Sequence, residues 1–142
     1  TSYGNKTIGE LLLSPTRTYL PFLNALPMDL VKSIKGIIHC TGGGQTKVLK
    51  FIKNKKVIKN NLLEIPPIFK IIQENSNTEW LEMYKVFNMG HRLEIYTNQS
   101  SATKIIEIAN KFNIEAKVIG HVVEQPGESV LIQSPFGEFI YD

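Results

Sequence analysis

From residue 91 onward the hydrophobic period of the chain changes twice. Leu93, Glu94, Ile95 and Tyr96 alternate as a half-buried strand does, and Ile105, Ile108, Ala109 and Phe112 then recur at the three- and four-residue spacing of one helical face. Ala116 to Val123 returns to a strand-like run, so the order strand, helix, strand predicts a β-α-β unit, with Ser100 or Ser101 as the helix N-cap. The tail from Ser129 to Tyr141 reads as two short strands around the turn Ser134-Pro135-Phe136-Gly137.

Earlier in the chain the apolar positions predict shorter pieces. Thr7 to Ser14 forms a short helix, with Thr7 as N-cap and Glu10 completing a capping box, and Pro15 ends it. Pro21 to Ala25 is helical, Asp29 to Ser33 is a further turn, and Ile34 to Thr41 is a β-prone strand. Lys47 to Ile52 reads as one or two turns of helix and Lys56 to Asn60 as a strand. Pro66 and Pro67 then lead into a helix over Ile68 to Glu74, in which Ile68, Ile71 and Ile72 share a face. Asn75-Ser76-Asn77 breaks that helix. Thr78 is the expected cap of the next, which carries Leu81, Tyr84 and Lys85 and ends near Asn88-Met89-Gly90. Gly90 is either a C-terminal cap there or a point of close approach for a ligand.

Composition narrows the class. With 142 residues, 42% hydrophobic and 20% charged, the chain suits one compact domain, and it has no apolar run of membrane-spanning length. No repeat or low-complexity linker divides it. The net charge of +3 is mild. Lys50, Lys53, Lys55, Lys56 and Lys59 cluster, which reads as a solvated turn in preference to a nucleic-acid patch. A single cysteine, Cys40, excludes an internal disulfide, and no cysteine-histidine spacing suits zinc; a reducing, cytoplasmic setting is expected, with Cys40 as a small buried hydrophobe. Thr1 stands where a methionine would, which suggests one domain of a longer chain.

The candidate chemistry lies in Gly36-Ile37-Ile38-His39-Cys40-Thr41-Gly42-Gly43-Gly44-Gln45-Thr46, where an apolar run stops at three glycines. A strand feeding a glycine turn that opens a helix leaves backbone N–H groups unpaired, and glycine lets an anion's oxygens come close. The alternative is a tight turn that needs positive φ and nothing more. The spacing matches neither the Walker motif nor the dinucleotide fingerprint. Arg17, between Thr16 and Thr18 in a turn after Pro15, suits a phosphate or carboxylate; a plain surface arginine is the competing reading.

Four segments, in order, resemble a known family. They are Gly9 to Tyr19 with Pro15-Thr16-Arg17, Gly36 to Gly44, Ile65-Pro66-Pro67-Ile68-Phe69, and Glu82-Met83-Tyr84-Lys85-Val86-Phe87-Asn88-Met89-Gly90. Together they resemble the C-terminal domain of phosphoribosylformylglycinamidine cyclo-ligase (aminoimidazole ribonucleotide synthetase), a ligase of purine biosynthesis. The resemblance implies an α/β (α+β) fold, a layered sandwich of a mixed sheet with helices. It also implies a two-domain dimeric enzyme in which residues 1–142 are the C-terminal domain and an N-terminal domain outside this chain binds most of the ATP and Mg2+. The substrate would be formylglycinamidine ribonucleotide, closed to 5-aminoimidazole ribonucleotide, with this domain alone inactive. No nucleic acid or membrane partner is implied.

Carried over by position, the resemblance makes Thr41, Gly42, Gly43 and Gly44 a phosphate-binding turn with His39 beside it, brings Asn88 and Gly90 toward the cleft, and sets Arg17 either near the phosphates or at the interface with the N-terminal domain. Gln45 and Thr46 extend the turn, and Thr16, His91 and Arg92 flank these positions; the proton-transfer residue is unassigned. Two places depart from the family pattern. Gln45-Thr46-Lys47 replaces an apolar residue and a Glu-Asn-like pair, and His91-Arg92 replaces a small, glycine-containing pair. The alternatives are a domain of a related ATP-dependent enzyme, such as formylglycinamidine ribonucleotide synthetase, or a non-catalytic anion-binding scaffold module.

Overall fold

The computed structural model describes the backbone of residues 2–3 and 6–142 and the side chains from Thr7 onward. Thr1, on which the expectation of a longer chain leans, lies outside the described residues. The chain forms two compact units, Thr1–Ile37 with Ile95–Lys117, and Ile38–Glu94 with Val118–Asp142.

The first unit begins with the short antiparallel strands β1 (Ser2–Tyr3) and β2 (Lys6–Thr7). Helix α1 (Ile8–Leu12) has the predicted capping box: Thr7 Oγ1 accepts from the Glu10 N–H at 3.3 Å, and the Glu10 carboxylate accepts from the Thr7 N–H at 2.7 Å. Helices α2 (Leu20–Asn24) and α3 (Met28–Ser33) follow, the latter beginning one residue before the predicted turn. The long helix of this unit is α6 (Gln99–Lys111), in which Ile105 and Ala109 bury the predicted apolar face, while Phe22 is buried on α2 and Leu30 on α3. Ile105, Phe22 and Leu30 each contribute roughly 1.5–3 kcal/mol on burial. Phe22 meets Phe112 edge-on, with ring centroids 6.3 Å apart. The cap of α6 is Asn98, whose Oδ1 accepts from the Ser101 N–H at 2.9 Å. Asparagine serves an N-cap as well as serine does, and it stands one residue before the helix while both serines lie inside it.

The second unit holds a four-stranded sheet in the order β6 (Gly120–Glu124), β4 (Lys55–Lys59), β7 (Glu128–Ser134), β8 (Gly137–Tyr141). β4 runs antiparallel to β6 and parallel to β7, and β7 turns back into β8 at the predicted hairpin. Val57, Val130 and Ile132 fill its buried face. β3 (Gly36–His39) and β5 (Leu93–Tyr96) form a separate two-stranded sheet. The predicted strand-helix-strand order from β5 through α6 to β6 is therefore present, with its two strands in different sheets.

Two further helices complete this unit, α4 (Pro67–Ser76) and α5 (Trp80–Val86). Thr78 does not cap α5: its hydroxyl pairs with that of Ser76 at 2.6 Å, and Glu79 is the N-cap residue. α5 is pinned to the β7–β8 hairpin at three places. Trp80 stacks on Phe136 at 3.7 Å, Tyr84 packs on Phe139 at 5.7 Å, and the Tyr141 hydroxyl donates to the Leu81 carbonyl at 2.8 Å. The C-terminal end of α5, against which Gly44 packs, is thereby held in place.

Candidate functional site

β3 delivers His39 to a turn in which Gly42, Gly43 and Gly44 all have left-handed backbones, with φ of +58°, +83° and +49°. Each such residue costs an L side chain roughly 1–2 kcal/mol, so three in succession select glycine. A 3-10 helix then runs from Gly44 to Lys50, where the sequence predicts helix only from Lys47.

The three glycines are not equivalent. A Cβ on Gly44 would lie 2.6 Å from the Phe87 carbonyl oxygen and 2.8 Å from that of Lys85, so this residue is wedged against the end of α5. Beside Gly42 there is open space, and a Cβ on Gly43 would meet only Lys47, at 3.8 Å. Thr41, Gly42 and Gly43 are exposed. Among the described residues, the N–H groups of Gly42 and Gly43 donate to no carbonyl or side chain. The turn thus has a packed inner edge and an outer edge of available donors.

Its carbonyl side is occupied. Lys47 Nζ donates to the His39 and Thr41 carbonyls, both at 2.9 Å. Thr46 donates to the Gly43 carbonyl through its N–H at 3.1 Å and its hydroxyl at 3.0 Å. Lys59 Nζ reaches the Gln45 carbonyl at 2.7 Å and the Glu94 carboxylate at 2.5 Å. Lys59 and Glu94 are almost wholly buried, so the pair is shielded from water below the turn. Cys40 is buried beside them. Burial above all, reinforced by the Glu94 charge, pushes its thiol up to about 12, which keeps it neutral as the predicted small hydrophobe would be.

The structure divides the other predicted site residues. Gln45 is buried, its amide donating to the Asn88 carbonyl at 3.2 Å while Oε1 has no partner among the described residues. Asn88 Oδ1 accepts from the Gly90 N–H at 3.0 Å, closing a local turn. α5 ends at Val86, so Gly90 does not cap it; at φ +97° it faces Pro66 Cδ, 2.9 Å from where a Cβ would stand. His91 is buried and accepts the Leu63 N–H at Nε2, 3.0 Å away. Arg92 is exposed, and its carbonyl accepts from the Cys40 N–H at 2.9 Å. His39 is exposed at the head of the turn.

Arg17 and the exposed Thr16 belong to the first unit. Arg17 Nη2 donates to the Phe112 carbonyl at 2.6 Å, a cation set at the C-terminal end of α6. Sequence reasoning missed Lys47, Lys59 and Glu94. Lys59 was hidden in the lysine cluster, although the period of two places it on the same face of β4 as buried Val57. Elsewhere in the second unit an open cleft of about 690 Å3 is lined by Leu49, Ile52, Gln125, Gly127, Glu128 and Ile140, with no converging cationic donors. The donor-rich turn is the better candidate site.

The sequence matches, over residues 1–133, the family described as AIR synthase related protein, C-terminal domain. The chain belongs to that family. It is 42% identical over 132 residues to the phosphoribosylformylglycinamidine cyclo-ligase of Methanococcus vannielii, covering 89% of this chain and 36% of that enzyme. The protein of the same name from Methanocaldococcus jannaschii is also 42% identical, over 87% of this chain and 35% of its own length. That from Alkaliphilus metalliredigens is 34% identical, over 90% and 37%. This AIR synthase related domain thus spans about a third of the length of these relatives. Among solved structures, E. coli HypE, a hydrogenase maturation protein, matches 87% of this chain and 37% of its own, with a TM-score of 0.58 and 19% identity. At that identity the likeness concerns the mixed α/β fold alone. Among the described residues, no helix of the domain is long and apolar enough to cross a membrane.

Proposed function

We propose that this domain is the substrate-side part of an ATP-dependent cyclo-ligase that closes formylglycinamidine ribonucleotide to 5-aminoimidazole ribonucleotide. The observation that carries the reading is the outer edge of the glycine turn, where the Gly42 and Gly43 N–H groups lack acceptors. Oriented backbone donors suit the 5′-phosphate of a ribonucleotide. The name shared by the relatives supports the choice of reaction. In that reaction the formyl oxygen is phosphorylated, a neighbouring nitrogen attacks the activated carbon, and phosphate leaves as the ring forms.

The part played by these residues is binding and orientation. Gly42 and Gly43 hold the phosphate, His39 and Thr41 stand beside it, and Asn88 supports the turn from behind through Gln45. Fixing the remote phosphate places the reacting amide without further ordering at the moment of reaction. Among the described residues no three His, Cys, Asp or Glu side chains gather as a metal site, and the turn offers donors where magnesium needs oxygen ligands. These residues do not fit Mg2+, and we assign Mg2+ and ATP mainly to an N-terminal domain. That domain also forms the homodimer in this reading, and the reaction is cytoplasmic.

The test is ATP-dependent formation of aminoimidazole ribonucleotide by the full-length protein, beside residues 1–142 alone and a full-length Gly43→Val variant. Activity in the first, none in the second and severe loss in the third are expected. A folded, inactive full-length protein would overturn the assignment.

A further inference from the structure

The carbonyls of His39, Thr41, Gly43 and Gln45, at alternate residues through the turn, each accept a hydrogen bond, and three of the four accept it from a lysine ammonium. In a trans peptide the C=O and the next N–H point in opposite directions. Lys47, by holding the Thr41 carbonyl, therefore turns the Gly42 N–H away from itself and outward. Lys59 acts one step further back. It fixes the Gln45 carbonyl, hence the peptide that carries the Thr46 N–H, which in turn holds the Gly43 carbonyl at 3.1 Å.

We propose that Lys47 and Lys59 are positioning residues for anion binding, two cations that grip the carbonyl side of the glycine turn so that its N–H side is set for a phosphate before the ligand arrives. The inference rests on the reading of the turn given under Proposed function. Glycine is the softest backbone there is, and a run of three without such restraints would sample many conformations. Stability is a poor alternative explanation for the buried pair. A buried ion pair seldom outweighs its own desolvation, and its best-attested role is to fix a unique arrangement. With Lys59 only 1% exposed, its ammonium has no path to a bound phosphate, so any effect of Lys59 on phosphate must act through the turn.

The experiment uses the full-length protein and three variants: Lys47→Met, the pair Lys59→Met with Glu94→Leu, and Gly43→Val. The paired change removes both buried charges, because Lys59→Met alone would strand Glu94 in the interior. Three quantities are measured: kcat, the KM values for ribonucleotide and ATP, and the inhibition constant of ribose 5-phosphate against the ribonucleotide, with ribose as control. Loss of a hydrogen bond to an ionised partner corresponds to about tenfold or more in affinity. Both lysine variants should therefore raise the ribonucleotide KM and weaken ribose 5-phosphate about tenfold, with kcat and the ATP KM within about twofold. Lys47→Arg, which keeps a multiple donor, should recover most of the loss. If Gly43→Val weakens ribose 5-phosphate but either lysine variant behaves as the parent does, or loses kcat and ATP affinity to the same extent, the positioning role is wrong. If Gly43→Val leaves ribose 5-phosphate unchanged, the turn is not the phosphate site and the underlying reading fails instead.

Discussion

Among the turns of the second unit that carry left-handed residues, two behave differently. Gly42 to Gly44 presents an open outer edge, while Met89, at φ +51°, is fully buried, and Gly90, at +97°, is half-buried with Pro66 filling the space of its missing Cβ. In sequence both turns read as points of close approach between a ligand and the backbone. The difference shows that a positive φ reports a local requirement of the chain, and that the surroundings alone decide whether the space freed by a missing Cβ belongs to a ligand or to another part of the protein. Within the first turn the same division recurs, with Gly44 on the protein side and Gly42 and Gly43 on the open side.

Alanine substitutions break this comparison most directly. Gly44→Ala has the largest expected effect, since its Cβ would meet two carbonyl oxygens of an anchored helix end; a loss of about 3 kcal/mol or more in urea unfolding is expected. Gly90→Ala should cost about 2 kcal/mol in the same measurement and leave ribose 5-phosphate affinity unchanged, because its Cβ would meet Pro66 and the Glu64 carbonyl, and Pro66 can yield slightly. Gly43→Ala reverses that pattern: about 1 kcal/mol of stability from backbone strain, together with a roughly tenfold loss of affinity. If Gly90→Ala weakens the ligand as much as Gly43→Ala does, the distinction between the two turns collapses.

The smallest effect sharpens the picture of the underside. Burial, with Glu94 beside it, raises the Cys40 thiol from 9.0 to about 12, so the folded state holds this proton more tightly than the unfolded chain. The stabilisation is complete below pH 9 and is lost as pH rises toward about 12. Tyr84 and Tyr141, raised chiefly by burial, add to the same alkaline loss. Cys40→Ala should flatten part of that slope in unfolding measured between pH 8 and pH 10.5, and the native thiol should resist alkylation at pH 8 until the protein is unfolded. Ready alkylation of the folded protein would mean that the floor of the turn is open.

Much of the chain was legible where the cause is local. The Thr7–Glu10 capping box, the β7–β8 hairpin and the apolar face of α6 each follow from residues within a few positions of one another. The helix caps were misread where two local candidates competed: Asn98 took the role expected of Ser100 or Ser101, and Ser76 drew Thr78 away from α5. Of the candidate site, the glycine turn was readable, with a positive φ as one of its two readings. The unequal surroundings of its glycines were not.

The sequence by itself determined the family, the order of strands and helices from Ile8 onward, and the place where three glycines permit a left-handed turn, because period, propensity and φ preference act over short stretches of chain. Only the tertiary structure decided which lysine of the cluster is buried, that Glu94 balances it, that Gln45 and His91 turn inward, and that Arg17 spends a donor on the Phe112 carbonyl. Each of these depends on a partner tens of residues away, and whether a charge or an amide can leave water is settled by that partner and not by the residue's neighbours in sequence.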